Sequence, residues 1–275
     1  MGVLDDKVAI VTGSARGIGR ATAELLSEHG AKVLINDLDG DLATQTASEI
    51  AGETTVYGGD LTKPGAPDEL VQTAIDAWGR LDIIVNNAGY TIDAPIHKMS
   101  DDAFQRMLDI HTIVPFRVIR AAAPHLREPA KAERERGEEV FRKIVNVSSI
   151  SGTMGNAGQA NYSSGKSGVI GLTKTLAKEW GQFKINVNAV AFGWIETRLT
   201  ASKVEDNTME IGGEKVQLGI PDQMRGMASM LIPLGRTGTP EEAAGGVFFL
   251  CSPWSNFVHG QVLNITGGQF TGMTT

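Results

Sequence analysis

Short runs of β-branched and aliphatic residues alternate along this chain with longer stretches whose apolar positions recur every three to four residues. The first run, Val8–Thr12 (VAIVT), has no charged residue and reads as a strand buried on both faces. A helical pattern follows from about Gly17 to His29, then the run Lys32–Asp37 (KVLIND) and a helix through Leu42–Ile50. Thr54–Tyr57, a helix near Glu69–Trp78, Asp82–Asn87 and a long helical pattern from Asp102 to about Leu126 continue the alternation. Lys143–Ser148, a helix carrying Tyr162, Ile185–Val190, a helix from Pro240 and Val262–Ile265 complete it. Seven strands separated by helices predict an α/β fold with a parallel, doubly wound, seven-stranded sheet of the Rossmann type.

Two segments stand outside that rhythm. Arg127–Arg142 (REPAKAERERGEEVFR) mixes both signs of charge and links a helix C-terminus to a strand N-terminus. It is expected to be a charged surface insertion at the sheet edge opposite any ligand. Thr197–Leu234 lacks strand character and follows the carboxyl end of the sixth strand. Long connections in compact domains are usually functional or disordered, so this one is expected to be a lid over the substrate. Met209, Met224, Met227 and Met230 would adapt to apolar shapes there, or pack a subunit contact. Thr239, Pro240 and Glu242 then mark the start of the next helix as a capping box with proline at its favoured first position.

A chain of 275 residues with 41% hydrophobic content suits one large α/β domain, residues 1–275. A net charge of −7 argues against nucleic acid or an anionic membrane as partner and favours a small-molecule substrate. With one cysteine, Cys251, no internal disulfide is possible. No apolar run is long enough to span a membrane and no basic, hydrophobic leader precedes Val8, so a cytoplasmic location is expected. No metal is expected.

Chemistry concentrates in Ile144–Leu176. Tyr162 and Lys166 are four apart in a helical pattern marked by Val169, Ile170, Leu172 and Leu176, so their side chains leave one face. An ordinary exposed pair would show the same spacing. Drawing a proton from a phenol near neutral pH takes roughly 4 kcal/mol of stabilisation of its anion, which a cation about 4 Å away at an effective dielectric of ~20 supplies. Lys166 is expected to be that cation. Ser149 closes the run IVNVSS and would sit at the carboxyl edge of the sheet, with Ser148 as the alternative hydroxyl.

A second signal lies at the other end. Thr12-Gly13-Ser14-Ala15-Arg16-Gly17-Ile18-Gly19 joins the first strand to the first helix, where glycines let backbone N–H groups approach a pyrophosphate. Asp37 ends the second strand, placed to accept from an adenosine ribose and to repel a 2′-phosphate, which favours NAD over NADP. Arg16 points the other way, since a cation in the turn pairs with phosphate. Asp60 ends the third strand, suited to an adenine amino group, and Asn86-Asn87-Ala88-Gly89 ends the fourth.

These motifs, with Tyr162-Ser163-Ser164-Gly165-Lys166 and the terminal Asn264-Ile265-Thr266-Gly267-Gly268, resemble the short-chain dehydrogenase/reductase family over nearly the whole chain. Gly152–Gly168 (GTMGNAGQANYSSGKSG) is most similar to 3-oxoacyl-(acyl-carrier-protein) reductases. The resemblance implies that Tyr162 exchanges a proton with the substrate oxygen, Ser149 hydrogen-bonds that oxygen, and Lys166 holds the nicotinamide ribose. It implies cofactor contacts from Gly13, Ser14, Arg16, Gly17, Ile18, Gly19, Asp37, Leu38, Asp60, Leu61, Asn87, Ala88, Gly89, Tyr162, Lys166, Ile195 and Thr197. It also implies a homotetramer in which helices around Asp102–Leu126 and Tyr162–Trp180 pack between subunits.

Two departures stand out. His111 occupies a catalytic position where the family carries asparagine, and a histidine there either packs with a hydrogen bond or titrates near neutral pH. Phe192 replaces the proline usual before Gly193. The expected activity is hydride transfer between a nicotinamide cofactor and a ketone or secondary alcohol, with a 3-oxoacyl or 3-hydroxyacyl thioester (acyl-CoA or acyl carrier protein) as substrate. Alternatives are a polyol, steroid or other small alcohol, or a catalytically impaired nucleotide-binding relative.

Overall fold

A computed structural model describes residues 2–202, 208–211, 214–220, 226 and 230–269. Strands β1 (Val8–Val11), β2 (Lys32–Asp37), β3 (Thr54–Gly58), β4 (Ile83–Asn86), β5 (Arg142–Ser149), β6 (Ile185–Phe192) and, after a separate hairpin, β9 (Val262–Ile265) form one sheet. Its order is β3-β2-β1-β4-β5-β6-β9, and every pairing is parallel. The chain reverses direction across the sheet between β1 and β4. That reversal opens a crevice at the carboxyl ends of these strands, where doubly wound sheets bind ligands.

Side-chain alternation on the strands builds two cores. Ile10, Leu34, Ile84, Ile144 and Val187 face one side and pack with α3 (Ala66–Trp78), α5 (Val114–Glu135) and α7 (Ala160–Trp180). Val11, Ile35, Val85, Val145 and Val190 face the other, against α1 (Gly17–Glu28), α2 (Gly40–Glu49) and a helix at Pro240–Cys251. The capping box is present: Thr239 Oγ accepts from Glu242 N–H at 3.3 Å, and the Glu242 carboxylate accepts from Thr239 N–H at 3.0 Å.

Three expectations need correction. The pattern read as one helix over Asp102–Leu126 is α4 (Asp101–Leu108), a π-helical turn Asp109–Ile113, and α5. Helix α5 runs on to Glu135, well into the charged segment, because Leu126 and Ala130 continue the buried stripe of Ile119 and Ala122 past Pro124 and Pro129. Arg142, the far end of that segment, is buried in β5 and forms a two-pronged pair with Glu133 at 2.7 and 2.8 Å. The segment is therefore part helix and part strand rather than a solvated extension.

Between β6 and the Pro240 helix, which is α8, the chain forms the antiparallel hairpin β7 (Thr208–Ile211) and β8 (Glu214–Gln217), so strand character is present where none was expected. Short runs that alternate polar and apolar residues over four positions are hard to separate from loop. Met224 and Met227 lie outside the described residues, and Met230 is exposed. No helix among the described residues is long and apolar enough to cross a membrane.

Candidate active site

Parallel register brings the ends of β1, β2, β4, β5 and β6 to one edge, where two cavities meet at Gly89 and Tyr90. One, of about 290 Å³, is lined by Gly13, Asp37, Leu38, Asp60, Leu61 and Ala88. The other, of about 220 Å³, is lined by Ser149, Tyr162, Lys166, His111, Ile195 and Thr197.

Ser149 caps the short helix α6 (Ile150–Met154), its Oγ accepting from Ser151 N–H at 3.1 Å. The same hydroxyl faces the Tyr162 phenol and favours its ionised form. Ser148 turns away instead, donating to the Lys166 carbonyl at 2.8 Å from a fully enclosed position. Lys166 Nζ donates to the Val147 carbonyl at 2.7 Å and lies 5.7 Å from the centre of the Tyr162 ring. Burial drives Lys166 down to about 7. Tyr162 moves the opposite way to the expectation: burial pushes the phenol up to about 12, only partly offset by Ser149. Burial is the larger influence, and the Lys166 ammonium is engaged at the Val147 backbone carbonyl.

His111 sits in the π-helical turn with 2% of its surface exposed. Its Nε2 lies 2.8 Å from the Tyr90 carbonyl, which can only accept, so Nε2 carries the proton and Nδ1 holds a lone pair. Nδ1 is buried with no hydrogen-bond partner. Burial and then the Lys166 charge hold its pKa well below the usual histidine value. Of the two states open to a histidine here, the packed, hydrogen-bonded one is present.

The residues around the first cavity and its junction with the second suit a dinucleotide. Gly13 has a φ of 62°, and a Cβ there would come 2.7 Å from Ala88 Cα, so only glycine leaves this floor open. Helix α1 begins just beyond it with no side-chain cap, leaving its first N–H groups for an anion. Asn87 Nδ2 ties the edge together by donating to the carbonyls of Thr12 and Gly13 at 3.0 and 2.9 Å. Asp37, 8% exposed, accepts from the N–H groups of Ala15 and Asp39, each at 3.3 Å. Its pKa is raised by burial, against which those two hydrogen bonds work. Asp60 accepts from Thr62 N–H at 2.9 Å and from its hydroxyl at 2.6 Å. Thr197 lies over Gly17 at the start of α1, and Ile195 is buried beside Gly238.

Two further polar groups shape the site. Gln159 donates to both carboxylate oxygens of Asp93 at 3.2 and 3.0 Å and accepts from Ser151 at 2.9 Å and Asn156 at 3.0 Å, fixing the turn before Tyr162. Gln159 stands within the motif that carries Tyr162, which was the available signal. Asp39, which pairs with Arg16, belongs to none of the sequence motifs.

A parallel sheet with a glycine-floored dinucleotide cleft, opening onto a serine, a tyrosine and a lysine, defines a nicotinamide-dependent oxidoreductase of the Rossmann class. The family described as enoyl-(acyl carrier protein) reductase matches residues 13–269. The 3-oxoacyl-[acyl-carrier-protein] reductase of Thermotoga maritima is 37% identical over 268 residues, 96% of this chain and 98% of that protein. The Aquifex aeolicus 3-oxoacyl-[acyl-carrier-protein] reductase is 38% identical, covering 97% and 98%. A solved 7α-hydroxysteroid dehydrogenase in complex with NADH and 7-oxo glycochenodeoxycholic acid superposes with a TM-score of 0.83 at 27% identity, over 97% of this chain and 95% of that one. The chain belongs to the short-chain dehydrogenase/reductase family.

Proposed function

We propose that this enzyme interconverts a 3-oxoacyl thioester and its 3-hydroxyacyl counterpart with NAD(H), working as one catalytic domain with residues 197–234 as its substrate lid. The observation that carries this reading is the convergence of Ser149, Tyr162 and Lys166 on one cavity that opens onto the cleft holding Asp37. The names of the relatives support the thioester.

A bound reduced nicotinamide supplies the hydride. Tyr162, which burial keeps protonated at neutral pH, gives its proton to the carbonyl oxygen, and takes it back in alcohol oxidation. Ser149 offers its hydroxyl proton to the same oxygen and stabilises the charge that develops there. The Lys166 ammonium, 5.7 Å from the centre of the Tyr162 ring, would hold the nicotinamide ribose. Asp37 accepts from the adenosine ribose hydroxyls and favours NAD(H) over NADP(H). Leu38, Leu61, Ala88 and Gly89 line the cleft as further cofactor contacts, whereas the Ser14 side chain is fully buried with its hydroxyl donating to the Val11 carbonyl at 2.7 Å and offers the cofactor no side-chain contact. The protein works as a homotetramer, which light scattering tests by mass.

The likeness to a hydroxysteroid dehydrogenase supports a second reading, with a steroid or other small alcohol as substrate. Initial rates of acetoacetyl-CoA reduction with NADH and with NADPH decide between them. Faster turnover with NADH is the expected result. No thioester turnover in protein that binds NADH, together with oxidation of a hydroxysteroid, overturns the thioester reading.

A further inference from the structure

Arg16 and Asp37 make opposite demands on the cofactor: the cation invites a 2′-phosphate and the carboxylate repels one. A third residue arbitrates. Asp39 caps helix α2, its Oδ1 accepting from Leu42 N–H at 3.1 Å. That bond turns the other oxygen, Oδ2, toward Arg16 Nη2 at 3.4 Å. The Asp39 N–H donates to Asp37 at 3.3 Å, so the two acids and the guanidinium form one unit at the ribose end of the cleft. Asp37 is nearly enclosed, whereas the Arg16 and Asp39 side chains are 36% and 53% exposed.

Resting on the NAD(H) reading, we propose that Asp39 is a positioning residue that sets cofactor choice by holding the Arg16 guanidinium away from a cofactor 2′-phosphate. Without Asp39, Arg16 would be free to turn toward that phosphate. A half-exposed pair with a single contact is weak, so the pairing biases the choice by several-fold rather than blocking NADPH outright. Arg198 adds a second cation near Arg16 and Asp37, and the Arg16 arm of the test separates its contribution.

The competing account is that Asp39 only caps α2. Asparagine caps a helix as well as aspartate does, so Asp39→Asn keeps the cap and removes the charge. The experiment titrates the whole protein with NADH and with NADPH, following cofactor fluorescence, and takes the ratio of the two dissociation constants. In Asp39→Asn the ratio should shift toward NADPH by about fivefold, and in the Arg16→Gln background the same change should have no effect. A ratio within about twofold of the starting protein, or a shift that persists without Arg16, overturns the proposal. Tighter binding of NADPH by the unmodified protein refutes the NAD(H) preference alone, and Asp39 is then still judged by the Asp39→Asn shift.

Discussion

The His111 ring meets the Tyr162 ring edge-on, with centroids 4.9 Å apart and planes at 90°. Held from behind by its bond to the Tyr90 carbonyl, the imidazole forms a fixed wall for the phenol. That wall has a second contact. A Cβ on Gly89 would come 2.3 Å from His111 Cε1, so the histidine occupies space that any larger residue at 89 would need. Gly89→Ala should therefore cost about 2 kcal/mol of stability by overpacking. In a His111→Asn background the penalty should fall by about 1 kcal/mol or more, because contacting residues couple. Denaturant unfolding of the four proteins closes the cycle, and equal penalties in both backgrounds would show that the ring moves aside freely.

Replacing Tyr162 with phenylalanine removes the acidic proton and keeps the ring that packs on His111. General acid catalysis is worth about 10²–10⁴-fold, so ketone reduction should fall by about 10³-fold. NADH binding, measured by fluorescence, should persist. Retained turnover would mean that another group delivers the proton.

The pH dependence separates the three titratable groups of the reaction cavity. Burial lowers Lys166 to about 7, so its ammonium is lost as the pH rises through that value. His111 stays neutral across the same range, because burial and Lys166 hold it well below the usual value. Tyr162, raised to about 12 by burial, keeps its proton until strongly alkaline pH. Since kcat/KM reports the free enzyme, ketone reduction should decline with rising pH through one inflection near 7. His111→Asn should keep that inflection and Lys166→Arg should abolish it. Loss of the inflection in His111→Asn would assign it to the histidine.

The sheet was legible because the central strands, buried on both faces, give mostly apolar runs and the partly buried edge strands β3 and β9 keep β-branched residues, and each of the seven lies within two residues of its expected limits. The placement of Tyr162 and Lys166 on one helix face followed from spacing alone. What spacing could not supply was the direction of their pKa values. Whether Lys166 acidifies the phenol depends on where its ammonium points, and it points at the Val147 carbonyl. Nor could the sequence show that Asp39 faces Arg16, since that contact joins two separate turns. The end of α5 was misread for a related reason: charge suggested solvent, while one apolar residue per turn sufficed to carry the helix on.

That helix ends in an ion pair with a measurable consequence. Arg142 and Glu133 are 5% and 15% exposed, and the guanidinium grips the carboxylate through two bonds of 2.7 and 2.8 Å. Removing one partner strands a charge in a poorly solvated site, which costs about 3–5 kcal/mol, whereas replacing both with apolar residues of similar volume is often neutral. Glu133→Ala should therefore lower stability by about 3 kcal/mol, while Glu133→Leu combined with Arg142→Met should recover most of that loss. Both proteins should keep their NADH affinity, because the pair lies at the amino end of β5, remote from the cleft at its carboxyl end. Urea unfolding gives the stabilities. A loss below about 1 kcal/mol for Glu133→Ala would place the pair among ordinary surface contacts and return this segment to the solvated role that its charges suggest.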